Sequence, residues 1–288
     1  MSICKLFLIT SDATNHILEA NSYLYKKYVG DVFDIKVLGH TPPVKSFDNF
    51  EFIPFKNASS HINNWTYKIH QALSEVEDEI IGFGLDDYLI NSPVNPEILT
   101  TLYNELKNDA SVGCAVLGWT PSLCRPDNFK VIKNYNDFDL FELNQNAIYK
   151  ITAQIKLWRK SYLLNFLQHQ WSPWEFENNA SQMAINDGVR IIGTTRKIAL
   201  DWIEESALSG RCPGKINVLG LSPSDINYFV ENNFFNIKDM QYGMWYPNDY
   251  PIPSFSEFGL DFKTEKLKNI ISENLYNVLH LHYKHLYT

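Results

Sequence analysis

Over the first 119 residues of the chain, strand-sized apolar runs alternate with stretches whose apolar residues recur every three or four positions. Lys5 to Thr10 is such a run and closes on Thr10, Ser11 and Asp12, after which Ile17, Leu18, Leu24, Tyr25 and Tyr28 follow at helical spacing. Phe33 to Leu38 is rich in β-branched and aromatic residues and stops at Gly39 and the Pro42-Pro43 turn, and Phe50 to Phe55 alternates as a third strand. Residues 63–76 have helical spacing, and Glu79 to Leu85 reads as a buried strand. Pro96 opens a helix with Ile98, Leu99, Leu102 and Leu106 on one face, and Gly113 to Trp119 is a further strand. Strands separated by helices imply parallel pairing, so the chain is predicted to be α/β with helices on both faces of its sheet.

Beyond Trp119 the pattern loosens. Residues 120–148 are polar and aromatic, two helix-like stretches flank Trp171-Ser172-Pro173-Trp174, and Val189 to Thr195 reads as a late strand. Residues 206–262 hold Gly, Pro, Asn and aromatics without a period, which predicts lids and loops over a site. Leu267, Ile270, Ile271, Leu275, Val278 and Leu279 form one stripe of a terminal helix. No repeat or low-complexity linker interrupts the chain, so a single domain over 1–288 is expected. Its irregular carboxyl half spans 120–262 and its terminal helix 263–288.

With 45% hydrophobic and 20% charged residues, a chain of 288 residues can bury a core and is not of the disordered class. Twenty-five Lys and Arg against 33 Asp and Glu leave a net charge of -8, which gives no general attraction to nucleic-acid phosphates or anionic lipid. Apolar runs such as Leu6 to Ile9 and Ile80 to Phe83 are far shorter than the ~20 residues of a membrane span. The first apolar stretch is interrupted too soon for a signal peptide, so the expected location is the cytoplasm. Cys4, Cys114, Cys124 and Cys212 lack C-x-x-C pairing and are expected to be reduced thiols.

Two acidic stretches stand out. Ile80 to Leu85 ends in Asp86-Asp87-Tyr88, and ligands of open parallel sheets bind where strands end. Two carboxylates there can hold a hard divalent cation facing a phosphate-bearing substrate; they also suit a turn before Pro93. Trp171-Ser172-Pro173-Trp174-Glu175-Phe176-Glu177 packs three aromatics around two acids before a helix. Aromatic walls raise a carboxylate toward the range of a general base and offer a flat face to sugar rings. The plainer reading makes Trp171 and Trp174 core residues and Glu175 and Glu177 first-turn acids favoured by the helix dipole.

Three weaker features complete the set. Thr10, Ser11 and Asp12 after the first strand can contact a nucleotide or cap the helix that follows. No dinucleotide-binding or P-loop glycine pattern is present there. Arg211 and Lys215 lie on a Gly-bounded loop of the kind that closes over a diphosphate or simply sits in solvent. His280, His282 and His285 fall on the terminal helix, as ligands or as ordinary core and surface histidines.

Together, four of these stretches resemble a family. The Thr-Ser-Asp loop, Trp65 opening a helix before an apolar strand, Asp-Asp-Tyr-Leu-Ile-x-x-Pro-Val at Asp86 to Val94, and Pro-Trp-Glu-Phe-Glu at Pro173 to Glu177 are similar to bacterial and phage glycosyltransferases of the GT-A type, over residues 3 to about 220. The resemblance implies a Rossmann-like α/β/α sandwich with a nucleotide-sugar half (1–119) and an acceptor and catalytic half (120–262). It implies a nucleotide-sugar donor, UDP-linked, and Mn²⁺ or Mg²⁺ held by Asp87 and Asp86, with Asp86 also meeting the ribose. Asp-Asp-Tyr stands where the family has a full Asp-x-Asp, and Tyr88 cannot replace a carboxylate ligand. Thr10, Ser11, Asp12 and Trp65 would hold the base and ribose, and Arg211 and Lys215 the departing diphosphate. Glu177 matches the catalytic base best and Glu175 second, in a single displacement that inverts the sugar. The acceptor hydroxyl implied is that of a glycan, a lipid-linked glycan, a protein or a modified base in phage DNA.

Two other classes fit parts of the pattern. A sugar nucleotidyltransferase shares the sheet and strand-end acids but usually carries a Gly-rich loop with Arg and Lys after the first strand, which Thr10 to His16 lacks. A non-catalytic carbohydrate-binding protein would account for the 14% aromatic content without paired acids.

Overall fold

A computed structural model describes residues 2–56, 64–118, 128–203, 216–218, 220–235 and 240–241. Along the first half, β1 (Cys4–Ile9), α1 (Leu18–Tyr28), β2 (Phe33–Gly39), β3 (Glu51–Pro54), α2 (Trp65–Ser74), β4 (Ile80–Leu85), a short β5 (Leu89–Ile90), α3 (Pro96–Asn108) and β6 (Val112–Val116) follow the predicted alternation. The second half continues with β7 (Phe129–Asn134), β8 (Asp139–Leu143), β9 (Lys156–Arg159), α4 (Lys160–Leu167), α5 (Pro173–Met183), β10 (Arg190–Thr195), β11 (Trp202–Ile203), β12 (Ile216–Asn217), α6 (Pro223–Glu231) and β13 (Met240–Gln241).

The main sheet runs β3-β2-β1-β4-β9-β6-β10-β8-β7. The pairs β3-β2, β2-β1, β1-β4 and β6-β10 are parallel; β9 lies antiparallel to both β4 and β6, and β8 antiparallel to both β10 and β7. Seven of the nine strands therefore point one way, with β9 and β8 reversed. Alternating side chains feed two cores. On one face Leu6, Leu8, Ile35 and Val37 pack under Leu18 and Tyr25 of α1 and the predicted stripe Ile98, Leu99, Leu102 and Leu106 of α3. On the other, Phe7, Ile9, Ile81 and Phe83 pack under Ile69 and Leu73 of α2, Leu163 and Phe166 of α4, and Phe176 and Ala180 of α5. The result is the expected Rossmann-like α/β/α sandwich.

The irregular carboxyl half needs correction. Residues 129–143 form the hairpin β7-β8 at the sheet edge, where five of the six β7 residues are exposed, so no apolar run announced it. The central strand β9 was not legible either, because Lys156-Leu157-Trp158-Arg159 is four residues long and carries a cation at each end. Within 206–262, Ser222 caps α6, which Pro223 opens. Ile226 and Phe229 of α6 join a third core with Ile17, Ala20, Leu24 and Leu89. Its Asp225 pairs with Lys27 of α1 and accepts from the Tyr28 hydroxyl at 2.6 Å. Cys4 and Cys114 are free and buried, burial pushing both thiols up to about 12. Cys124, Cys212 and the stretch predicted as a terminal helix, with His280, His282 and His285, lie outside the described residues. Among the described residues no helix is long and apolar enough to cross a membrane.

Candidate active site

The parallel strands β2, β1 and β4 end side by side, and the chain stays paired one step past them: the Thr10 amide donates to Leu38 (2.8 Å) and the Asp86 amide to Ile9 (3.1 Å). Neighbouring strand ends thus bring Thr10 against Asp86 across 76 residues of sequence. The Thr10 hydroxyl donates to Asp86 Oδ2 at 2.5 Å and lies 3.2 Å from the Thr14 hydroxyl. Asn21 of α1 donates its side-chain amide to the Asp86 carbonyl. Only 3% of Asp86 is exposed, and this burial pushes its carboxyl up to about 7 against the opposing hydroxyls of Thr10 and Thr14. Of the two acids expected to hold a cation, Asp86 faces inward and ties β1, β4 and α1 together, while Asp87 is half-buried. Among the described residues no group of three or more His, Cys, Asp or Glu could hold a metal.

Ser11 and Asp12 are exposed on a loop that its own bonds close, with the Thr14 amide donating to the Ser11 carbonyl at 2.9 Å and the Ser11 amide to the Thr14 hydroxyl at 3.0 Å. Beside them lies a pair absent from the sequence reading. His40 follows the last residue of β2, and the ammonium of Lys68, buried on α2, lies 3.1 Å from its Nε2. Burial lowers both groups, and the Lys68 charge lowers His40 further while Asp12 opposes it. The available signal was position: His40 leaves the carboxyl end of a strand next to Thr10, the criterion that had singled out Asp86.

The second acidic stretch opens α5. Ser172 is its N-cap and Pro173 its first residue; the Glu175 amide donates to Ser172 Oγ (3.3 Å), and the Ser172 amide and hydroxyl both donate to Glu175 Oε2 at 2.8 Å. Glu175, the alternative base, is a capping residue, exposed and held below the usual carboxylate range by the Ser172 amide and hydroxyl. Trp174 is 66% exposed and is neither core nor a wall for the acids. Trp171 is half-buried and stacks on His169 at 4.3 Å. Trp65, expected at the base and ribose, sets its ring edge-on between Phe83 of β4 (6.4 Å) and Phe176 of α5 (5.7 Å), fixing the helix against the sheet.

Glu177 differs from all of these. It is half-buried, and its Oε1 accepts the Ala153 amide at 2.8 Å, while the carbonyl of Ala153 accepts the Leu85 amide at 3.1 Å. One residue therefore joins Glu177 to the end of β4, immediately before Asp86. The approach is close because Gly84 lacks a side chain: a Cβ there would fall 2.7 Å from Ile155 Cγ1 and 2.8 Å from its Cα. Burial raises the Glu177 carboxyl, opposed by the Ala153 amide and by the charge of Lys156. Arg211 and Lys215 lie outside the described residues.

At the carboxyl edge of the sheet the structure thus sets the half-buried Glu177 next to the end of β4, where the buried Asp86 and the half-buried Asp87 follow, and the His40-Lys68 pair at the end of β2. No protein-family model and no curated protein matches the chain. Among solved structures it is similar to CMP:2-keto-3-deoxy-manno-octonic acid synthetase complexed with CTP, at 17% identity over 66% of this chain and 88% of that one, with a TM-score of 0.38. It is similar to S. aureus TarS 1-349 in complex with UDP, at 15% identity over 69% of this chain and 60% of that one, with a TM-score of 0.42. A third is UDP-glucose pyrophosphorylase complexed with UDP-glucose, at 10% identity over 70% of this chain and 92% of that one, with a TM-score of 0.41.

Proposed function

We propose that the chain is a glycosyltransferase that moves a sugar from a nucleotide-diphosphate donor to an acceptor hydroxyl by a single inverting displacement. The observation that carries this reading is the Ala153 bridge, which sets Glu177 beside the strand end where Asp86 and Asp87 emerge. Glu177 takes the proton of the acceptor hydroxyl as its oxygen bonds to the sugar C1. The bond from C1 to the diphosphate oxygen breaks with its electron pair, and the nucleoside diphosphate leaves. Burial moves Glu177 toward the range in which a carboxylate accepts that proton.

In this reading residues 1–119 bind the nucleotide sugar and 120–262 supply the base and the acceptor surface. Thr10, Ser11, Asp12, His40 and Lys68 surround the nucleoside, with Asp86 fixing the floor beneath it. Asp87 meets the diphosphate together with Arg211 and Lys215. A single carboxylate beside a diphosphate fits Mg²⁺ or Mn²⁺, which takes most of its remaining oxygen ligands from phosphate and water. When bound, the cation would supply positive charge to the departing diphosphate. The acceptor is a glycan, a lipid-linked glycan, a protein or a modified base in DNA, and the protein works in the cytoplasm.

The test is a panel of nucleotide sugars, UDP-linked ones first, with Mn²⁺, Mg²⁺ or chelator, read by melting temperature and by released nucleoside diphosphate. Release of diphosphate, and a larger ligand-induced stabilisation with metal than without, are expected. Asp87→Ala should lose that difference and keep its unliganded melting temperature. Equal shifts with and without metal would remove the cation. Exchange of pyrophosphate into a nucleoside triphosphate would instead make the protein a nucleotidyltransferase, and glycan binding without turnover a carbohydrate-binding protein.

A further inference from the structure

α5 meets the segment 151–153 along one stripe. The Ser181 hydroxyl accepts the Ile151 amide at 3.0 Å and donates to the Ile151 carbonyl at 2.9 Å, and Glu177 accepts the Ala153 amide at 2.8 Å. Positions 174, 177 and 181 are spaced i, i+3 and i+7, so Trp174 is the next member of that stripe, one turn before Glu177. Residues three apart on a helix are neighbours, with Cβ atoms about 5–6 Å apart. The helix start is itself pinned at the carboxyl edge of the sheet. α2 leaves β3 there on its way to the parallel β4, and its Thr66 donates its amide to the Trp171 carbonyl (3.1 Å) and its hydroxyl to the His169 carbonyl (2.6 Å). Trp174 thus stands at the rim beside Glu177.

The other tryptophans among the described residues are packed: Trp65 against Phe83 and Phe176, Trp158 beside Tyr162, Trp171 on His169 and Trp202 against Tyr88. Trp174 is 66% exposed and leaves a broad apolar ring open to solvent. Its surroundings narrow what can lie on it. Glu175 follows directly, exposed and held ionised by Ser172, Glu177 lies one turn on, and the chain carries a net charge of -8. A nucleic-acid acceptor would bring its phosphates against like charge. Asn178, four positions after Trp174, is exposed and offers an amide that both donates and accepts. A neutral pyranose matches both features, with C–H bonds on its face and hydroxyls around its edge.

We propose that Trp174 is the acceptor-binding residue, a platform on which a neutral sugar ring of a glycan stacks with one hydroxyl turned to Glu177. The part of that hydroxyl in the reaction rests on Glu177 being the base; the stacking itself does not.

The full chain, labelled with 5-fluorotryptophan, is titrated with the methyl pyranosides of glucose, galactose, mannose and N-acetylglucosamine, the Trp174 ¹⁹F resonance being assigned through Trp174→Phe. At least one pyranoside should move that resonance saturably while those of the packed tryptophans stay in place. Trp174→Ala should keep its unliganded melting temperature and lose the stabilisation which that pyranoside gives, and Trp174→Tyr should restore part of it. A Trp174 resonance unmoved by every pyranoside overturns the proposal. So does one moved only by oligothymidylate, which would make the acceptor a nucleic acid, or only by lauryldimethylamine oxide, an alkyl chain without a sugar. A moved resonance together with undiminished diphosphate release by Glu177→Gln supports the platform and removes the base assignment alone. Diphosphate release with an unmoved resonance removes the platform and leaves the glycosyltransferase reading standing.

Discussion

The end of β4 and the first turn of α5 each present two carboxylates close in sequence, and in each region the two part company. At β4 the member taken inward, Asp86, is locked by the Thr10 hydroxyl, and Asp87 stays half-buried. At α5 the exposed member, Glu175, is locked by Ser172, and Glu177 turns to the Ala153 amide. Asp86 and Asp87 form a turn directly after β4, and positions i and i+2 of a helix stand about 200° apart. The two members of each pair therefore sit in different surroundings. The two regions are joined to each other through Ala153, which links Leu85 to Glu177.

Glu177→Gln gives the largest expected effect. If Glu177 is the base, the substitution lowers diphosphate release by a factor of about 10² to 10⁴ at unchanged donor affinity. The same change at Glu175 should leave the rate near wild type, and matched losses at both positions would erase the distinction between cap and base.

Next comes the pH dependence of stability at the other region. With its carboxyl raised to about 7, Asp86 in the folded chain keeps its proton to higher pH than an unfolded aspartate, which loses it near pH 4. The folded state therefore binds more protons between these values, so Asp86 favours folding most below about pH 4 and progressively less as pH climbs toward 7. The gap of about three pH units corresponds to at most about 4 kcal/mol. Urea unfolding from pH 4 to 8 should show this decline in the wild type and a flatter profile in Asp86→Asn; parallel profiles would mean that Asp86 ionises normally.

Gly84→Ala attacks the bridge between the regions. The added methyl meets the Ile155 backbone, so about 1–3 kcal/mol of stability should be lost, with a fall in turnover as the Ala153 segment shifts away from Glu177. Wild-type melting and turnover would show that the close approach is dispensable. The smallest effect belongs to the cap: Ser172→Ala should cost about 1 kcal/mol, measured by chemical denaturation, and leave the Glu177 titration in place.

The alternation of apolar runs up to Val116 was enough to place β1 through β4, α1 through α3 and β6, because parallel strands buried on both faces leave continuous apolar stretches and crossover helices leave one-sided stripes. The α5 start was equally legible, since Ser172, Pro173 and Glu175 act within one turn. Local chemistry of this kind needs no partner from elsewhere in the chain. The hairpin β7-β8 and the strand β9 were hidden, one by exposure at an edge and the other by the buried charge of Lys156. Which acid faces inward, which lies beside β4 and which cation meets His40 was decided by contacts across 24 to 76 residues: Thr10 to Asp86, Ala153 to Glu177, Lys68 to His40. Residue type and spacing determined where carboxylates, cations and hydroxyls stand along the chain. Only the folded sheet, by fixing strand order and closing α5 over Phe83 and Trp65, decided which of them meet, because burial and pairing belong to the space between elements and not to any segment alone.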